Sequence, residues 1–587
     1  MTEIRTGAQL LCEALEREGT DVIFGYPGGA IMPFYHALPD YPLRHVLCRH
    51  EQGAGHAAEG YARASGRAGV CVATSGPGAT NLVTPLANAW LDSTPLVAIT
   101  GQVASAVLGT DAFQETDIIG ITEPITKHAF QVRHAGEITA AVRAAFHLAC
   151  TGRRGPVLID VTKDAQQGRV VPDWDATLDL PGYSMARPAD AAAIEQAAEL
   201  LRRAERPLIL AGSGVLWAGA TDALLRLAEQ TGAPVATTLH GKGAFPEHHP
   251  LSLGMAGMHG WVHVNRAIQK CDVLLNVGGR FDDRVTGRAA TFAPRARIIH
   301  VDIDAAEIGK VVRADVGILA DAGDALGTLS ARLPPNPPSG RDAWRAHIAA
   351  LRAEHEPRQQ YRRRPDTTAL MPHDVYAAFQ HSAEGRGRYR VVTDVGQHQM
   401  WAAQLLEWRE PGSHITSGGA GTMGFAVPAA LGAALACPDE TIWVICGDGG
   451  FQMTNQELAT LIQEEVRNVR ILIVNNGYLG MVRQWQELFE DRRYSSTALS
   501  APDFVVLAGA YGVDAARVES VEDMAPALEA AWDADGCVVL DVCVEREVNV
   551  FPIVPQGQSI GDMLVQPPPS PPAHDLVERL ARPRTTD

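Results

Sequence analysis

An aspartate in a glycine turn and a pair of asparagines each follow an apolar run of the chain. Asp448 lies in Gly-Asp-Gly-Gly-Phe after the run 442–445, and Asn475 and Asn476 follow the run 471–474. Ligands of an open parallel sheet bind outside the carboxyl ends of its strands, so Asp448 and Asn476 should meet there. Mg²⁺ prefers such oxygen ligands and shares them with waters and phosphates. The spacing therefore predicts a site for Mg²⁺ and a diphosphate.

Gly-Asp-Gly alone most often marks a surface turn. The order strand, Gly-Asp-Gly, helix, strand, Asn-Asn is far more specific, and it resembles the cofactor signature of the thiamine-diphosphate-dependent decarboxylases and carboligases. In that family the metal ligands correspond to Asp448, Asn476 and the backbone carbonyl of Tyr478. Many of these carboligases have Ser where this chain has Gly450, which removes one side-chain contact but not the metal site.

The same resemblance implies further contacts with thiamine diphosphate in this part of the chain. Met423 takes the place of a large apolar side chain that holds the cofactor in its bent conformation, although a core Met is the simpler alternative. His398 could equally be a loop residue without a ligand. The remaining candidates are Val395, Gly396, Gln397, Gly421, Gly447, Gly449, Gly450, Leu479, Gly480 and Met481.

Glu51 is the candidate acid for the aminopyrimidine ring of the cofactor. Small residues follow it at 53–58, so a helix beginning there could pack closely against a ring. A lone Glu is usually solvated or ion-paired, but the stretch 49–63 resembles the pyrimidine-binding helix of the family. A carboxyl group that exchanges a proton with the ring nitrogen N1′ would let the cofactor's own amino group act as the base.

Five further residues are candidates for the reaction centre by resemblance. The amide of Gly28, in a glycine turn after a strand, is a candidate oxyanion contact. Phe113 and Gln114 match the part of the family that reaches the reaction centre from the side, and ordinary core packing is the alternative for Phe113. Lys163 and Arg284 are cationic candidates near the substrate entry.

Three segments of the chain alternate apolar runs with helix-length stretches, which is the α/β pattern. We expect three doubly wound parallel-sheet domains. A proline-rich stretch at 333–340 should be stiff and extended, and a charged, helix-like stretch with Arg362, Arg363 and Arg364 near its end follows it. The expected divisions are a pyrimidine-binding domain at 1–185, a central FAD-binding domain at 190–335, a linker at 336–369, a diphosphate- and Mg²⁺-binding domain at 370–565 and a disordered proline-rich tail at 566–587.

Composition narrows the class of protein. The chain has 587 residues, 46% of them hydrophobic, which is typical of a globular protein. A net charge of −18 argues against nucleic-acid binding. The nine cysteines show no Cys-x-x-Cys motif and are expected to be reduced thiols. No signal region and no apolar run of membrane-spanning length is present, so we expect a cytoplasmic protein without a membrane partner.

Longer strings identify a narrower family. The stretch Gly-Gly-Arg-Phe-Asp-Asp-Arg-Val-Thr-Gly at 278–287, together with 300–310 and 480–486, resembles the catalytic subunits of anabolic acetolactate synthases. The resemblance covers about residues 5–565. It implies a transferase that decarboxylates pyruvate on thiamine diphosphate and transfers the hydroxyethyl unit to pyruvate or 2-ketobutyrate. The products, 2-acetolactate and 2-aceto-2-hydroxybutyrate, lead to branched-chain amino acids. Trp485 would shape the acceptor pocket, with interface packing as its alternative.

The family holds FAD in the central domain. Asp302 ends an apolar strand, as does an acid that hydrogen-bonds a ribose, and Arg153 and Arg280 could bind a diphosphate or a flavin. The central segment has no G-x-G-x-x-G fingerprint, so the flavin expectation depends on the resemblance. Since the reaction has no net redox change, the flavin would be largely structural. The other FAD candidates are Gly212, Gly214, Thr238, Leu239, Met258, His259, Gly278, Asp282 and Asp321.

Rival activities stay open at this point. A flavin pyruvate oxidase would reduce its flavin with pyruvate, and a catabolic acetolactate synthase would lack flavin. Glyoxylate carboligase lacks the carboxylate that Glu51 supplies, and a non-catalytic paralogue would have no need of Glu51, Asp448 and Asn476 together. Family members bind the cofactor between two chains, so a homodimer or tetramer is expected. A small regulatory subunit is a further partner that the resemblance implies.

Overall fold

A computed structural model describes residues 4–175, 177–185, 188–337, 339–355, 369–500 and 502–566. Each of its three domains is built on a six-stranded parallel sheet with flanking helices, which confirms the expected α/β class. Arg362, Arg363 and Arg364 and the predicted disordered tail from residue 567 onward lie outside the described residues. All nine cysteines are free thiols. Among the described residues, no helix combines the length and apolar character that crossing a bilayer requires.

The N-terminal sheet has the strand order β3-β2-β4-β5-β7-β6. Its strands are β2 (Val22–Gly25), β3 (Arg44–Leu47), β4 (Gly69–Ala73), β5 (Leu96–Gln102), β6 (His128–Val132) and β7 (Pro156–Thr162), while β1 (Arg5–Thr6) and β8 (Arg169–Val170) form a separate antiparallel pair. β4, β5 and β7 are buried throughout, as expected of a parallel sheet covered on both faces. The helices are α1 (Gly7–Arg17), α2 (Met32–Ala37), α3 (Glu51–Ser65), α4 (Pro77–Thr80), α5 (Val83–Asp92), α6 (Ile118–Thr122), α7 (Ile138–Cys150) and α8 (Lys163–Gln167).

The central sheet has the order β11-β10-β9-β12-β13-β14, which is the strand order of the dinucleotide-binding fold. Its strands are β9 (Pro207–Ala211), β10 (Val235–Thr237), β11 (Ser252–Met255), β12 (Val273–Val277), β13 (Arg297–Asp302) and β14 (Val316–Leu319). The order reverses between β9 and β12, where such sheets bind their ligands. The helices are α9 (Ala191–Arg203), α10 (Ser213–Trp217), α11 (Thr221–Thr231), α12 (Val262–Lys270), α13 (Asp283–Thr286) and α14 (Ala322–Ser330).

The predicted linker contains a helix, α15 (Asp342–Glu354), which packs on the central domain. The indole nitrogen of buried Trp344 donates to the carbonyl of Pro207 at 3.0 Å. The guanidinium of Arg341, just before the helix, donates to the carbonyls of Leu201 and Thr231. The stretch expected to be helix-like after residue 340 therefore forms a helix, and this helix packs against α12.

The C-terminal sheet has the order β16-β15-β17-β18-β20-β19, so the two outer domains share one strand order when each is numbered from its own first strand of the sheet. Its strands are β15 (Tyr389–Thr393), β16 (His414–Thr416), β17 (Thr441–Gly447), β18 (Val469–Asn475), β19 (Asp514–Val518) and β20 (Val538–Cys543). The helices are α16 (Pro372–Ser382), α17 (Gln397–Leu405), α18 (Ala426–Ala436), α19 (Asp448–Thr454), α20 (Glu457–Gln463), α21 (Gly480–Phe489), α22 (Phe504–Ala510) and α23 (Val521–Asp533).

Short 3₁₀ turns connect several of these elements; they are Leu38–Asp40, Ser105–Val107, Glu123–Ile125, Ala135–Glu137, Leu239–Gly241 and Ala289–Thr291. The two outer domains meet where α3 packs against α18. A methyl group on Gly60 would overlap the backbone of Ala429, and one on Gly432 would overlap the backbone of Ala57. Glycine is therefore required for this backbone contact. The contact joins the helix that begins at Glu51 to the helix that follows the Met423 loop (residues 418–425).

Candidate active site

A cavity at the carboxyl ends of β15, β17 and β18 collects almost all the C-terminal residues predicted to bind thiamine diphosphate. Gly421 is the exception, and it lies in the loop that carries Met423. Trp401, Val474 and Val482 also contribute to the walls. The predicted residues in the lining are Val395, Gly396, Gln397, His398, Met423, Gly447, Asp448, Gly449, Gly450, Asn476, Tyr478, Leu479, Gly480 and Met481. We call this the Asp448 cavity.

Asp448 has the features of a cation ligand. Its carboxylate is buried, and Oδ2 has no hydrogen-bond partner among the described residues. Burial raises the pKa of Asp448 to about 7. Asn476 Oδ1, in the same cavity, accepts a hydrogen bond from the backbone nitrogen of Tyr478 at 3.1 Å. Leaving a buried carboxylate oxygen unpaired is costly, so the residues fit a cation such as Mg²⁺ together with a phosphate group.

A second buried carboxylate, that of Asp394, holds the Met423 loop against the end of β15. It accepts hydrogen bonds from the backbone nitrogens of Gly424 at 3.0 Å and Ala426 at 3.1 Å. A methyl group on Gly450 would lie 2.5 Å from Asp394 Oδ1. Glycine at position 450 therefore leaves room for Asp394, and Asp394 fixes the loop that brings Met423 to the cavity.

His398 and Trp485 occupy different environments. Burial lowers the pKa of His398 to about 3, so the imidazole that lines the cavity is neutral at physiological pH. Trp485 lies on α21 one turn after Met481 and does not line the Asp448 cavity. Its half-buried ring packs edge-on against Phe489, with 5.4 Å between the ring centroids. This contact lies within one helix, so interface packing stays a prediction for Trp485.

The N-terminal candidates form a second group, which we call the Glu51 group: Gly28, Glu51, Phe113 and Gln114. None of them lines the Asp448 cavity. Half-buried Glu51 begins α3, and its Oε2 accepts a hydrogen bond from Asn81 Nδ2 at 2.9 Å. Added methyl groups on Gly28 and Gly78 would lie 2.5 and 2.9 Å from the side chain of Thr74, and the one on Gly78 only 3.1 Å from Glu51 Oε1.

The remaining members of the Glu51 group lie beside the same glycine loop. Gln114 has a φ of +60°, and its backbone passes close to Gly76, on which a methyl group would lie 2.9 Å from the Gln114 carbonyl oxygen. Phe113 is 89% exposed, so it is not a core residue of this chain. The strand-to-helix loop at 74–81 thus lies against Gly28, Glu51 and Gln114.

Lys163 and Arg284 are placed on different domains. Lys163 is exposed and begins α8 of the N-terminal domain. Arg284 lies in α13 of the central domain, where its guanidinium is 3.5 Å from the sulfur of Met258 and 3.8 Å from Asp283. The single chain brings neither residue to the Asp448 cavity.

A larger open cavity lies at the reversal point of the central sheet, and we call it the central crevice. Of the FAD candidates, Gly212, Leu239, Met258 and His259 do not line it. Those that line it are Arg153, Gly214, Thr238, Gly278, Arg280, Asp282, Asp302 and Asp321.

Close backbone contacts and charged side chains lie at the central crevice. A methyl group on Gly212 would overlap the carbonyl of Gly278, so β9 and β12 approach closely through glycines. Asp302 ends β13, and burial raises its pKa to about 6. Arg153 Nε donates to Ser93 Oγ at 3.0 Å, and Arg153 Nη1 lies 2.8 Å from Glu307.

Sequence reasoning missed Asp92, which lines the central crevice and connects all three domains. Its buried carboxylate accepts from the backbone nitrogen of Gly419 at 2.7 Å and lies 2.9 Å from His240 Nε2 and 3.7 Å from Arg63. Burial alone would raise the pKa of Asp92, but His240 and Arg63 hold it at about 2. No local pattern signals this residue, because its partners are distant in sequence.

Comparison with protein families assigns each domain. Residues 5–121 match the model "Thiamine pyrophosphate enzyme, N-terminal TPP binding domain". Residues 194–329 match the central domain of the same enzymes, and residues 394–542 match their "C-terminal TPP binding domain". The Asp448 cavity therefore lies in a thiamine-pyrophosphate-binding domain.

Curated relatives are similar over nearly the whole chain. The acetolactate synthase large subunit of Corynebacterium glutamicum is 49% identical over 570 residues, which are 96% of this chain and 90% of that protein. The chain belongs to the acetolactate synthase family. The probable large subunit of Methanocaldococcus jannaschii is 46% identical over 98% of both chains. The large subunit of Escherichia coli isozyme 2 is 46% identical, covering 95% of this chain and 99% of its own length.

Membership of the acetolactate synthase family applies to all three domains, since the relatives cover each of them. The family expected from the sequence is thereby confirmed, and thiamine diphosphate is its cofactor. The pyruvate oxidase and the flavin-free catabolic synthase are not favoured, because these relatives carry the names of acetolactate synthase large subunits.

Proposed function

We propose that this chain is the catalytic subunit of a biosynthetic acetolactate synthase. It decarboxylates pyruvate and transfers the two-carbon unit to a second 2-ketoacid, either pyruvate or 2-ketobutyrate. The observation that carries the proposal is the Asp448 cavity, which unites the predicted cofactor residues in a chain similar to acetolactate synthases over almost its full length. The products are 2-acetolactate and 2-aceto-2-hydroxybutyrate, precursors of branched-chain amino acids.

Asp448, Asn476 and Tyr478 are the proposed metal ligands. The carboxylate of Asp448, the amide oxygen of Asn476 and the carbonyl of Tyr478 would hold Mg²⁺. The unpaired, buried Oδ2 of Asp448 supports this assignment. The glycine amides at 447 and 449, the side chain of His398 and the backbone amide of Gln397 at the start of α17 would bind the diphosphate that shares the metal.

The proposed mechanism assigns separate tasks to separate residues. When bound, thiamine diphosphate supplies the carbon nucleophile and the electron sink for decarboxylation. Glu51 exchanges a proton with the pyrimidine nitrogen N1′ through its carboxylate. The Gly28 amide donates to the oxygen that becomes negative on the substrate, and Met423 supports the cofactor from below. Lys163 and Arg284 attract the carboxylate of the incoming ketoacid.

A second copy of the chain would complete the site. The Glu51 group and the Asp448 cavity are separate within one chain. Apolar side chains are exposed at both, including Phe113 in the Glu51 group and Val482 in the lining of the cavity. Such exposed apolar side chains are candidates for an interface. A symmetric dimer that places the Glu51 group of one protomer over the Asp448 cavity of its partner would form two sites.

FAD is the proposed occupant of the central crevice. The strand order 3-2-1-4-5-6 and the close approach of Gly212 to Gly278 support a dinucleotide there. Asp302 would accept a hydrogen bond from the ribose, and Arg153 and Arg280 would meet the diphosphate or the flavin. The flavin would hold the domain in place rather than transfer electrons.

Two further proposals concern the substrate and the assembly. Trp485 would narrow the acceptor pocket once a second chain closes the site, favouring 2-ketobutyrate. The relatives are named large subunits, which supports association of this chain with a smaller, regulatory one. A cytoplasmic location remains part of the proposal.

The deciding assay supplies the purified chain with pyruvate, thiamine diphosphate and Mg²⁺, with and without FAD, and measures acetolactate. We expect acetolactate to form with all three cofactors and the flavin to stay oxidised. Reduction of bound flavin by one equivalent of pyruvate would indicate an oxidase instead. Full activity in protein stripped of flavin would indicate the catabolic type of synthase.

A further inference from the structure

Three buried carboxamides form a row that ends at Asn476. Asn476 Nδ2 donates to Gln397 Oε1 at 3.2 Å, and Gln397 Nε2 donates to Gln484 Oε1 at 2.8 Å. Asn476 is 6% exposed, Gln397 is 3% exposed and Gln484 is fully buried. Water therefore has little access to these amides, and their orientations depend on one another.

The backbone of Val550 determines which way the row points. Its N–H donates to Gln484 Oε1 at 2.7 Å, and its carbonyl accepts from Gln484 Nε2 at 3.0 Å. A backbone N–H can only donate and a carbonyl can only accept, so a flipped Gln484 amide would lose both bonds. Gln484 must then present Oε1 to Gln397. Because this oxygen can only accept, Gln397 turns its Nε2 toward Gln484.

A second backbone group gives Gln397 the same orientation. The carbonyl of Val548 accepts from Gln397 Nε2 at 2.9 Å. The other end of that amide, Oε1, is left facing Asn476 Nδ2. The Asn476 amide nitrogen is thereby held on the Gln397 side, and Asn476 Oδ1 is held on the opposite side, where Tyr478 N–H also meets it.

Close packing leaves the row no alternative arrangement. A methyl group on Gly480, the first residue of α21, would overlap Gln397 Oε1 and lie 2.8 Å from Asn476 Nδ2. Arg483 on the same helix donates to Asn549 Oδ1 at 2.6 Å, which fixes the segment that carries Val550. The segment continues to the central domain, where Val554 N–H donates to the carbonyl of Met258 at 2.9 Å.

We propose that Val550, acting through Gln484 and Gln397, sets the orientation of the Asn476 amide and presents its Oδ1 to Mg²⁺. Gln484 is a positioning residue, since it acts on the metal ligand only through Gln397. The inference rests on the proposed metal site. A reversed Asn476 amide would present an NH₂ group to the cation and could not ligate it. Changing such outer partners of metal ligands typically costs 10–100-fold in metal affinity.

The test compares two glutamines of the same helix. Gln484→Met removes the amide that hydrogen-bonds both backbone groups of Val550. Gln486→Met is the matched control, because Gln486 also bonds both backbone groups of one residue, Ser495, at 3.0 Å each. Mg²⁺ is titrated into each variant with thiamine diphosphate present and followed by calorimetry. We expect the Mg²⁺ dissociation constant to rise about tenfold in Gln484→Met, the lower end of the usual effect, because the Val548 carbonyl still holds Gln397 Nε2. It should stay unchanged in Gln486→Met. Wild-type affinity in a folded Gln484→Met would overturn the proposal.

A third variant separates positioning from a loss of packing. Gln484→Glu, which burial favours in the neutral acid form, keeps an acceptor for Val550 N–H and for Gln397 Nε2 and a donor for the Val550 carbonyl, so it should restore much of the Mg²⁺ affinity that Gln484→Met loses. Equal Mg²⁺ affinity in the Glu and Met variants would reject the orientation argument. Thermal melting of the metal-free proteins reports any general destabilisation.

Asn476→Ala distinguishes the two levels of the argument. Loss of Mg²⁺ binding in Asn476→Ala combined with normal binding in Gln484→Met would reject the proposed role of Gln484 in orienting Asn476. It would leave the proposed metal site standing. Normal Mg²⁺ binding in Asn476→Ala would instead reject the proposed metal site. Weakened binding in both variants supports both.

Discussion

Glu51 accepts a hydrogen bond from Asn81 Nδ2 at 2.9 Å, away from Asp448, whose Oδ2 is buried without a partner among the described residues. The proposed proton-exchanging acid and the proposed metal ligand therefore belong to separate groups in one chain. Yet α3, which begins at Glu51, packs on α18, which follows the Met423 loop. In a dimer with two sites, each chain would contribute its Glu51 group to one site and its Asp448 cavity to the other. The packing of α3 on α18 would connect these two contributions rigidly.

Glu51→Gln tests the acid. The amide keeps the shape of the side chain and can still meet Asn81, so folding and cofactor binding should be retained. Loss of the exchangeable proton should lower turnover by about 10²–10⁴-fold, the usual contribution of general acid–base catalysis. Acetolactate formation at saturating pyruvate measures the effect, and thermal melting with cofactors serves as the control. Near-normal turnover in this variant would reject the proposed role.

Mixing two inactive variants tests whether the site lies between chains. Glu51→Gln and Asp448→Ala should each be inactive as homodimers. A mixed dimer would contain one site in which both residues are native, so random pairing should restore roughly a quarter of wild-type activity in a two-fold symmetric assembly. Coexpression followed by the acetolactate assay measures the recovery. Absence of recovery, with mixed dimers demonstrated by differently tagged chains, would place each site within one chain.

Trp485→Leu tests acceptor choice. The smaller side chain should remove contacts with the additional methyl group of 2-ketobutyrate, a difference of about 1–3 kcal/mol. The ratio of the two products from mixed pyruvate and 2-ketobutyrate should therefore shift toward 2-acetolactate, while 2-acetolactate formation from pyruvate alone changes little. Leu488→Ala, a partly buried apolar neighbour on the same helix, controls for loosened packing. An unchanged product ratio would show that Trp485 has no role in acceptor choice and only packs against its neighbours.

The Asp448 cavity was predictable because its parts follow strands. Gly-Asp-Gly and Asn-Asn end β17 and β18, and residues at strand ends in a parallel sheet meet at one edge. The strand order of the central domain was not predictable from its glycines, since the G-x-G-x-x-G spacing is absent there. Gly212 and Gly278 achieve the same close backbone approach from two different strands.

The interactions that support the site could not be read from the sequence. Asp92 forms hydrogen bonds with His240 and Gly419 of the other two domains. Gln484 forms its hydrogen bonds with Val550, which follows two intervening strands in the sequence. Neither pair has a fixed spacing or a characteristic composition, because long-range hydrogen bonds depend on how domains pack. Such contacts hold the residues that local motifs can identify.

Gly450→Ser tests the departure from the usual signature of the carboligases. Its β-carbon would lie 2.5 Å from Asp394 Oδ1, a buried atom already bonded to the Met423 loop. We expect a loss of about 1–3 kcal/mol in stability, as for other overpacked sites, and weaker binding of thiamine diphosphate. Gly509→Ala, at a helical glycine with open space around it, should leave cofactor binding unchanged and should not lower stability, because alanine favours a helix more than glycine does. Denaturant unfolding measures the free energy of unfolding, and titration measures the affinity for thiamine diphosphate. A Gly450→Ser variant with wild-type stability and affinity would contradict the steric argument.

Asp302 should make binding of the proposed FAD depend on pH. Burial raises the pKa of its carboxyl group to about 6, and Oδ1 already accepts from the backbone of Asp304 at 2.9 Å. A ribose hydroxyl donates best to the ionised form, so below pH 6 binding must displace a proton. The FAD dissociation constant should rise as pH falls, by up to about tenfold per pH unit below that pKa, and level off above it.

Quenching of flavin fluorescence across this pH range measures the FAD dissociation constant. Asp302→Asn cannot ionise, so its affinity should be lower at neutral pH and nearly independent of pH, while its value at acidic pH approaches that of the wild type. Asp282→Asn, another acid of the central crevice, is the control and should keep the wild-type pH dependence. A flat profile for the wild type, or an unchanged profile in Asp302→Asn, would remove Asp302 from the flavin site.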